Sequence, residues 1–126
     1  MPKAKFRNYL RKFEEFERAA SGAAARGDWD AAVANAVHAG IGLTDALAVF
    51  YLGKRSAAQD HAQSVSLLDE LGLDRKEVGR ASSHLTDLLR VKNLAEYEER
   101  LLGPKDSEQA LNHLRRLREW TRGKLP

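Results

Sequence analysis

The segment WDAAVANAVHAGIGLTDALAVFYL, Trp29 to Leu52, constrains this chain more than any other, because it has no polar face. Val33, Ala36, Val37, Ile41, Leu43, Leu47, Val49, Phe50 and Tyr51 fall on every side of a helix with 3.6 residues per turn. Such a helix belongs at the centre of a bundle, covered on all sides. His38, Thr44 and Asp45 interrupt the run, and a membrane span needs about 20 strongly apolar residues, so a buried core helix is expected and no membrane contact. Gly40 and Gly42 each cost about 1 kcal/mol against alanine in a helix interior, which implies either close helix contact or a kink.

The remaining pattern supplies the cover. Phe6, Tyr9, Leu10, Phe13, Phe16, Ala20 and Ala23 recur at three- and four-residue steps and predict a helix over Lys3 to Arg26. Gly27 suits its left-handed close, and Asp28 suits an N-cap for the next helix. After Gly53 a turn leads to a third helix, capped by Ser56 or Asp60, with Ala62, Val65, Leu68 and Leu71 on one face and Gly72 at its end. Asp74 opens a fourth, with the stripe Val78, Ala81, Leu85, Leu88 and Leu89 and a break expected at Asn93. Gly103-Pro104 marks a loop, and a last helix begins near Ser107. Its inner side is Ala110, Leu111, Leu114, Leu117 and Trp120, and its outer side Arg115, Arg116, Arg118 and Arg122. Residues 1–126 therefore read as one all-α domain, an up-and-down bundle of four to five helices with short connections.

Composition narrows the function classes. With 43% hydrophobic and 31% charged residues the chain has the makings of a folded core. The absence of cysteine excludes disulfides and thiolate metal sites. A formal charge of +3, with both signs interleaved, permits an acidic partner without demanding one. The first twenty residues carry charges every two or three positions, so no signal peptide is expected and the expected location is cytoplasmic.

No phosphate-binding glycine loop, dinucleotide fingerprint or HExxH zinc motif is present. The histidines His38, His61, His84 and His113 fall on four different predicted helices, and no two share the i, i+3 or i+4 spacing that presents two nitrogens to one metal. No metal site and no cofactor are read. Arg55 and His61 could act together on RNA, histidine as acid and base and arginine on the developing phosphorane charge. The same residues also suit a local Arg55–Asp60 ion pair with His61 in a helix's first turn. Asp45, in the most apolar helix, either sits on an exposed edge or pairs with Arg55 or Lys92. Arg90, Lys92, Asn93 and Tyr97 are either a phosphate grip or a solvated helix end.

The order of a long first helix, the apolar second helix, DHAQSVSLLDELG, then LLRVKNLAEYEE and DSEQALNHLRRLREW resembles the HEPN superfamily over Phe6 to Trp120. The resemblance implies a helical bundle, homodimerisation and association with partners such as nucleotidyltransferases. Active members of that superfamily resemble one another in an Arg-x4–6-His motif of metal-independent ribonucleases. RSAAQDH carries Arg55, Ser56 and His61 at that spacing but before the third helix, earlier than the family's motif. RVKNLAEY lies in the later position with Arg90 and Asn93, and Tyr97 stands where histidine is wanted. The chain is thus similar to the members that lack the motif. The expected function is a non-catalytic module that binds a partner protein, a nucleotide or RNA through Asp45, Asp60, Lys92 and Tyr97. The alternative is a ribonuclease or toxin–antitoxin component with Arg55 and His61 catalytic.

Overall fold

A computed structural model describes residues 2–56, 61–98 and 101–126, with side chains for 2–56, 61–93 and 101–126. Five helices follow one another: α1 (Phe6–Arg26, after a short 3-10 turn at Lys3–Lys5), α2 (Trp29–Leu52), α3 (His61–Glu70), α4 (Arg75–Glu98) and α5 (Pro104–Arg122). No strand occurs among the described residues.

The hub is α2. Every residue from Gly42 to Val49 is buried. Eight consecutive helical positions make more than two full turns, so no azimuth of this stretch reaches solvent. α1, α3, α4 and α5 all pack against it. α1 runs antiparallel to it, with Phe6 meeting Phe50 at a 5.2 Å ring separation and Phe16 meeting His38 at 5.2 Å. α5 runs parallel to it: the Asp30 carboxylate near its start accepts the Leu102 N–H at 3.0 Å, and Tyr51 near its end donates to the Lys124 carbonyl at 2.5 Å. α4 is antiparallel to α5, since Glu77 reaches Trp120 and His84 reaches His113. α1, α2, α4 and α5 thus form an up-and-down bundle, with the shorter α3 between α2 and α4.

Each of α2 to α5 contributes a pair of fully buried leucines: Leu43 and Leu47, Leu67 and Leu68, Leu85 and Leu88, Leu114 and Leu117. Each such side chain is worth roughly 1.5–3 kcal/mol relative to exposure. The two α2 glycines serve close contact rather than a kink. A Cβ at Gly40 would lie 2.8 Å from Leu88 Cδ2, and one at Gly42 would touch the Phe13 backbone at 3.4 Å.

Several local expectations hold. Gly27, Gly53 and Gly72 all take positive φ at helix ends, and the Asp74 carboxylate accepts the Glu77 N–H at 3.0 Å to cap α4. Others are corrected. Asp28 makes no cap bond through its side chain; its carboxylate takes the Arg26 Nε–H at 3.2 Å instead. Asn93 does not break α4, which continues to Glu98. α5 starts at Pro104, where a missing N–H costs nothing, and the Asp106 carboxylate turns back to the Gly103 N–H at 2.8 Å. Arg118 is not on the outer side: it donates to Glu17 at 2.8 Å with both side chains about three-quarters buried, which ties α5 to α1.

These contacts set two substitutions apart. Gly40→Val is expected to lose about 1–3 kcal/mol of unfolding free energy through overpacking. Gly79→Ala, where a Cβ has open space, should gain about 0.5–1 kcal/mol. Urea titration of the two variants measures both.

Candidate functional site

The chain after α2 is built back onto it by one buried carboxylate. Asp45 is 7% exposed, although aspartate in so apolar a helix is costly to bury. It accepts two hydrogen bonds, from the Ser56 N–H at 3.0 Å and the Ser56 hydroxyl at 2.9 Å. Burial pushes the Asp45 carboxyl above its ordinary range, and the Ser56 bonds, Arg55 and Lys12 oppose that rise. The exposed-edge reading of Asp45 is therefore overturned: a stretch buried on every azimuth has no edge. Ser56, one of the two caps expected for α3, has its hydroxyl engaged by Asp45. Arg55 lies within electrostatic reach of Asp45 and donates from Nη1 to the Ser56 carbonyl at 3.2 Å. This is a clamp on the α2–α3 turn.

Beyond the clamp, α3 runs back in the direction of α2, and Lys54 pairs with Glu70 at 2.9 Å at its far end. At its near end His61 opens onto a hollow of about 450 Å³ between α3 and α4. The floor is apolar, made of Ala62, Val65 and Leu89, and Ser66 and Thr86 add hydroxyls. Arg90 and Asn93 stand on the opposite wall from His61. The α4 residues 86, 89, 90 and 93 fall at i, i+3, i+4 and i+7, so one helix face supplies that wall. Arg90 Nη1 pairs with Asp87 Oδ1 at 3.2 Å, a surface ion pair worth little and readily exchanged for a ligand.

A lysine and a second histidine lie beside this hollow. Partial burial, Lys92 and His61 all disfavour the charged form of His38. One ring face of His38 lies against Phe16, which accounts for the desolvation although the residue as a whole is exposed. His38, His61 and Lys92 thus share one electrostatic neighbourhood, contributed by α2, α3 and α4.

The residues singled out in the sequence divide accordingly. Asp45 and Arg55 belong to the clamp; His61 lines the hollow, and Lys92 lies outside its lining, within electrostatic reach of His38. Among the described residues lining the hollow, Arg55 is absent, and the arginine that shares the hollow with His61 is Arg90. Asp60 and the side chain of Tyr97 lie outside the described residues. Sequence reading missed His38 as part of this neighbourhood, and nothing local in the sequence links position 38 to positions 61 and 92.

It also missed a second convergence. His84 on α4 and His113 on α5 face each other with Nδ1 to Nδ1 at 3.0 Å. Among the described residues no group of three or more histidine, aspartate or glutamate side chains could hold a metal ion.

Comparisons with protein-family models, with curated proteins and with solved structures return no match.

The clamp makes a prediction with a definite sign. Asp45→Ala leaves the buried Ser56 N–H without its acceptor and should cost about 1–3 kcal/mol. Asp45→Asn keeps an acceptor oxygen. Because the folded-state pKa of Asp45 is raised, its stabilising contribution is complete below the ordinary aspartate range near about pH 4 and is lost as pH rises through the raised value. The stability of Asp45→Asn relative to the parent should therefore climb across that window and be level above it, as read by urea unfolding at a series of pH values.

Proposed function

We propose that the chain is a non-catalytic, HEPN-like binding module whose α3–α4 hollow takes a phosphate-bearing ligand, a nucleotide or a segment of RNA. The observation that carries this reading is the convergence of His61, Arg90 and Asn93 around an apolar floor. A planar base has Val65 and Leu89 to rest on. A phosphate has a guanidinium, which grips oxyanions through paired donors, and an imidazole within the same hollow. Lys92 adds positive potential nearby. Homodimerisation and a nucleotidyltransferase partner belong to the same proposal and rest on the resemblance alone; a cytoplasmic setting rests on the charged first twenty residues.

A second reading, metal-independent RNA cleavage, has one observation in its favour. His61, as acid and base, shares the hollow with a cation. That cation is Arg90, which brings the arginine of the later motif-like stretch to the histidine of the earlier one.

Both are tested by titrating a fluorescent RNA oligonucleotide and ATP into the protein at low salt with EDTA present. Arg90→Ala and His61→Ala should each weaken binding about ten- to hundredfold, in line with roughly 1.5–3 kcal/mol for a charge-assisted hydrogen bond. Affinity should fall with added salt, and Arg55→Ala should leave it unchanged. Intact RNA after incubation supports the module, and cleavage abolished by His61→Ala supports the nuclease. Equal affinity of parent and Arg90→Ala would remove the hollow from the account.

A further inference from the structure

On the flank of α4 away from the α3–α4 hollow, His84 and His113 bring two Nδ1 atoms to 3.0 Å, with ring centroids 5.3 Å apart and ring planes at 45°. Two imidazole lone pairs at that distance repel unless something positive lies between them. A proton on one ring satisfies the pair as N–H···N. A metal ion with a lone pair from each ring satisfies it as well, with the other proton of each ring at Nε2. We infer that His84 and His113 form a two-nitrogen chelate for a late first-row divalent cation, with copper(II) the best fit.

The distance is compatible with such a metal. Two metal–nitrogen bonds of about 2.0–2.1 Å span about 2.9 Å at a right angle and about 3.4 Å at the tetrahedral angle. The observed 3.0 Å therefore matches adjacent positions of a square-planar or tetragonal ion, the geometry of copper(II) and nickel(II). Copper also stands highest in affinity for nitrogen ligands. The ligands sit on two helices that are packed on each other, so the bite is preorganised. Both histidines are half-buried, and His84 lines a hollow of about 430 Å³ between α4 and α5 that leaves room for solvent ligands.

The surroundings set the strength and the pH range. Burial, His113 and, from α5, Arg116 disfavour positive charge at His84, and Asp87 on α4 favours it. Arg80 and Glu119 also line the hollow. Glu119 pairs with Arg115 at 3.3 Å, and Glu77 in the same hollow is held by Trp120 and Lys124. The site is thus a two-ligand chelate of moderate affinity. Metal binding displaces protons from ring nitrogens, so it weakens as pH falls.

The experiment uses the whole chain with Cu2+ in a non-coordinating buffer at neutral pH, followed by visible absorption and electron paramagnetic resonance. One equivalent should bind with hyperfine structure from two nitrogens. His84→Gln and His113→Gln should each weaken binding roughly a hundredfold, since each turns a chelate into a single contact. His38→Gln with His61→Gln should leave binding unchanged, and Arg116→Ala should tighten it severalfold. Helical content and thermal midpoint check that the variants fold. The inference is overturned if the parent signal shows one nitrogen, which needs no variant to read. It is also overturned if His84→Gln binds copper as the parent does, or if the His38/His61 double variant abolishes binding.

Discussion

A helix with no polar face cannot end its own exposure to water; other helices must do so. That is the condition α2 places on the rest of the chain. Hydrophobic burial is non-directional, so the requirement is met by any arrangement that covers all sides. The particular arrangement comes from finer contacts. Gly40 and Gly42 let Leu88 and the Phe13 backbone approach α2 closely. The two-residue link at Gly27-Asp28 makes α1 antiparallel. Asp30 and Tyr51 tie the two ends of α2 to the two ends of α5. α2 is also the helix among the described residues with length and apolarity enough to cross a membrane, and most of that stretch is covered by its neighbours.

The same enclosure explains where polar chemistry is found. A bundle wrapped round one apolar rod has its interior filled, so its hollows lie in the seams between covering helices. α4 borders two of them. Its residues 86, 89, 90 and 93 face α3, and its residues 77, 80, 81 and 84 face α5. Both sets follow the i, i+3, i+4, i+7 rhythm, and the buried Val78, Leu85 and Leu88 run between them. Among the described residues Asp45 is the ionisable group that is buried, and it is used for structure. It accepts the Ser56 N–H and hydroxyl and so fixes the chain just after α2.

The bundle was legible because its signals are local. A 24-residue apolar segment bounded by Asp28 and Gly53 states its own length, and α2 spans Trp29–Leu52. Glycines 27, 53 and 72 and the Asp74 cap are equally local. The misjudged boundaries each had a competing local alternative. Asn93 is a weak helix former that a long, otherwise favourable helix carries through. Pro104 reads as a loop residue and is also the favoured first residue of a helix. The candidate site was far less legible. Arg118 looked like one of four outward arginines until Glu17, 101 positions away, proved to face it. His84 with His113, and His61 with Arg90, meet only through packing between helices, which no spacing along the chain encodes. The attraction of Arg55 and His61 was their nearness in sequence, and the fold sends Arg55 to the clamp.

Native-state hydrogen exchange tests the enclosure of α2 most directly. Amides from Ala36 to Val49 should be the slowest in the molecule, and their opening free energy should equal the global unfolding free energy from urea titration. The outer turns of α1 and α5 should open earlier. If the α2 amides exchanged through a smaller opening than those of α1 or α5, the helix would not be the hub, and the account of how the other four are placed would fail with it.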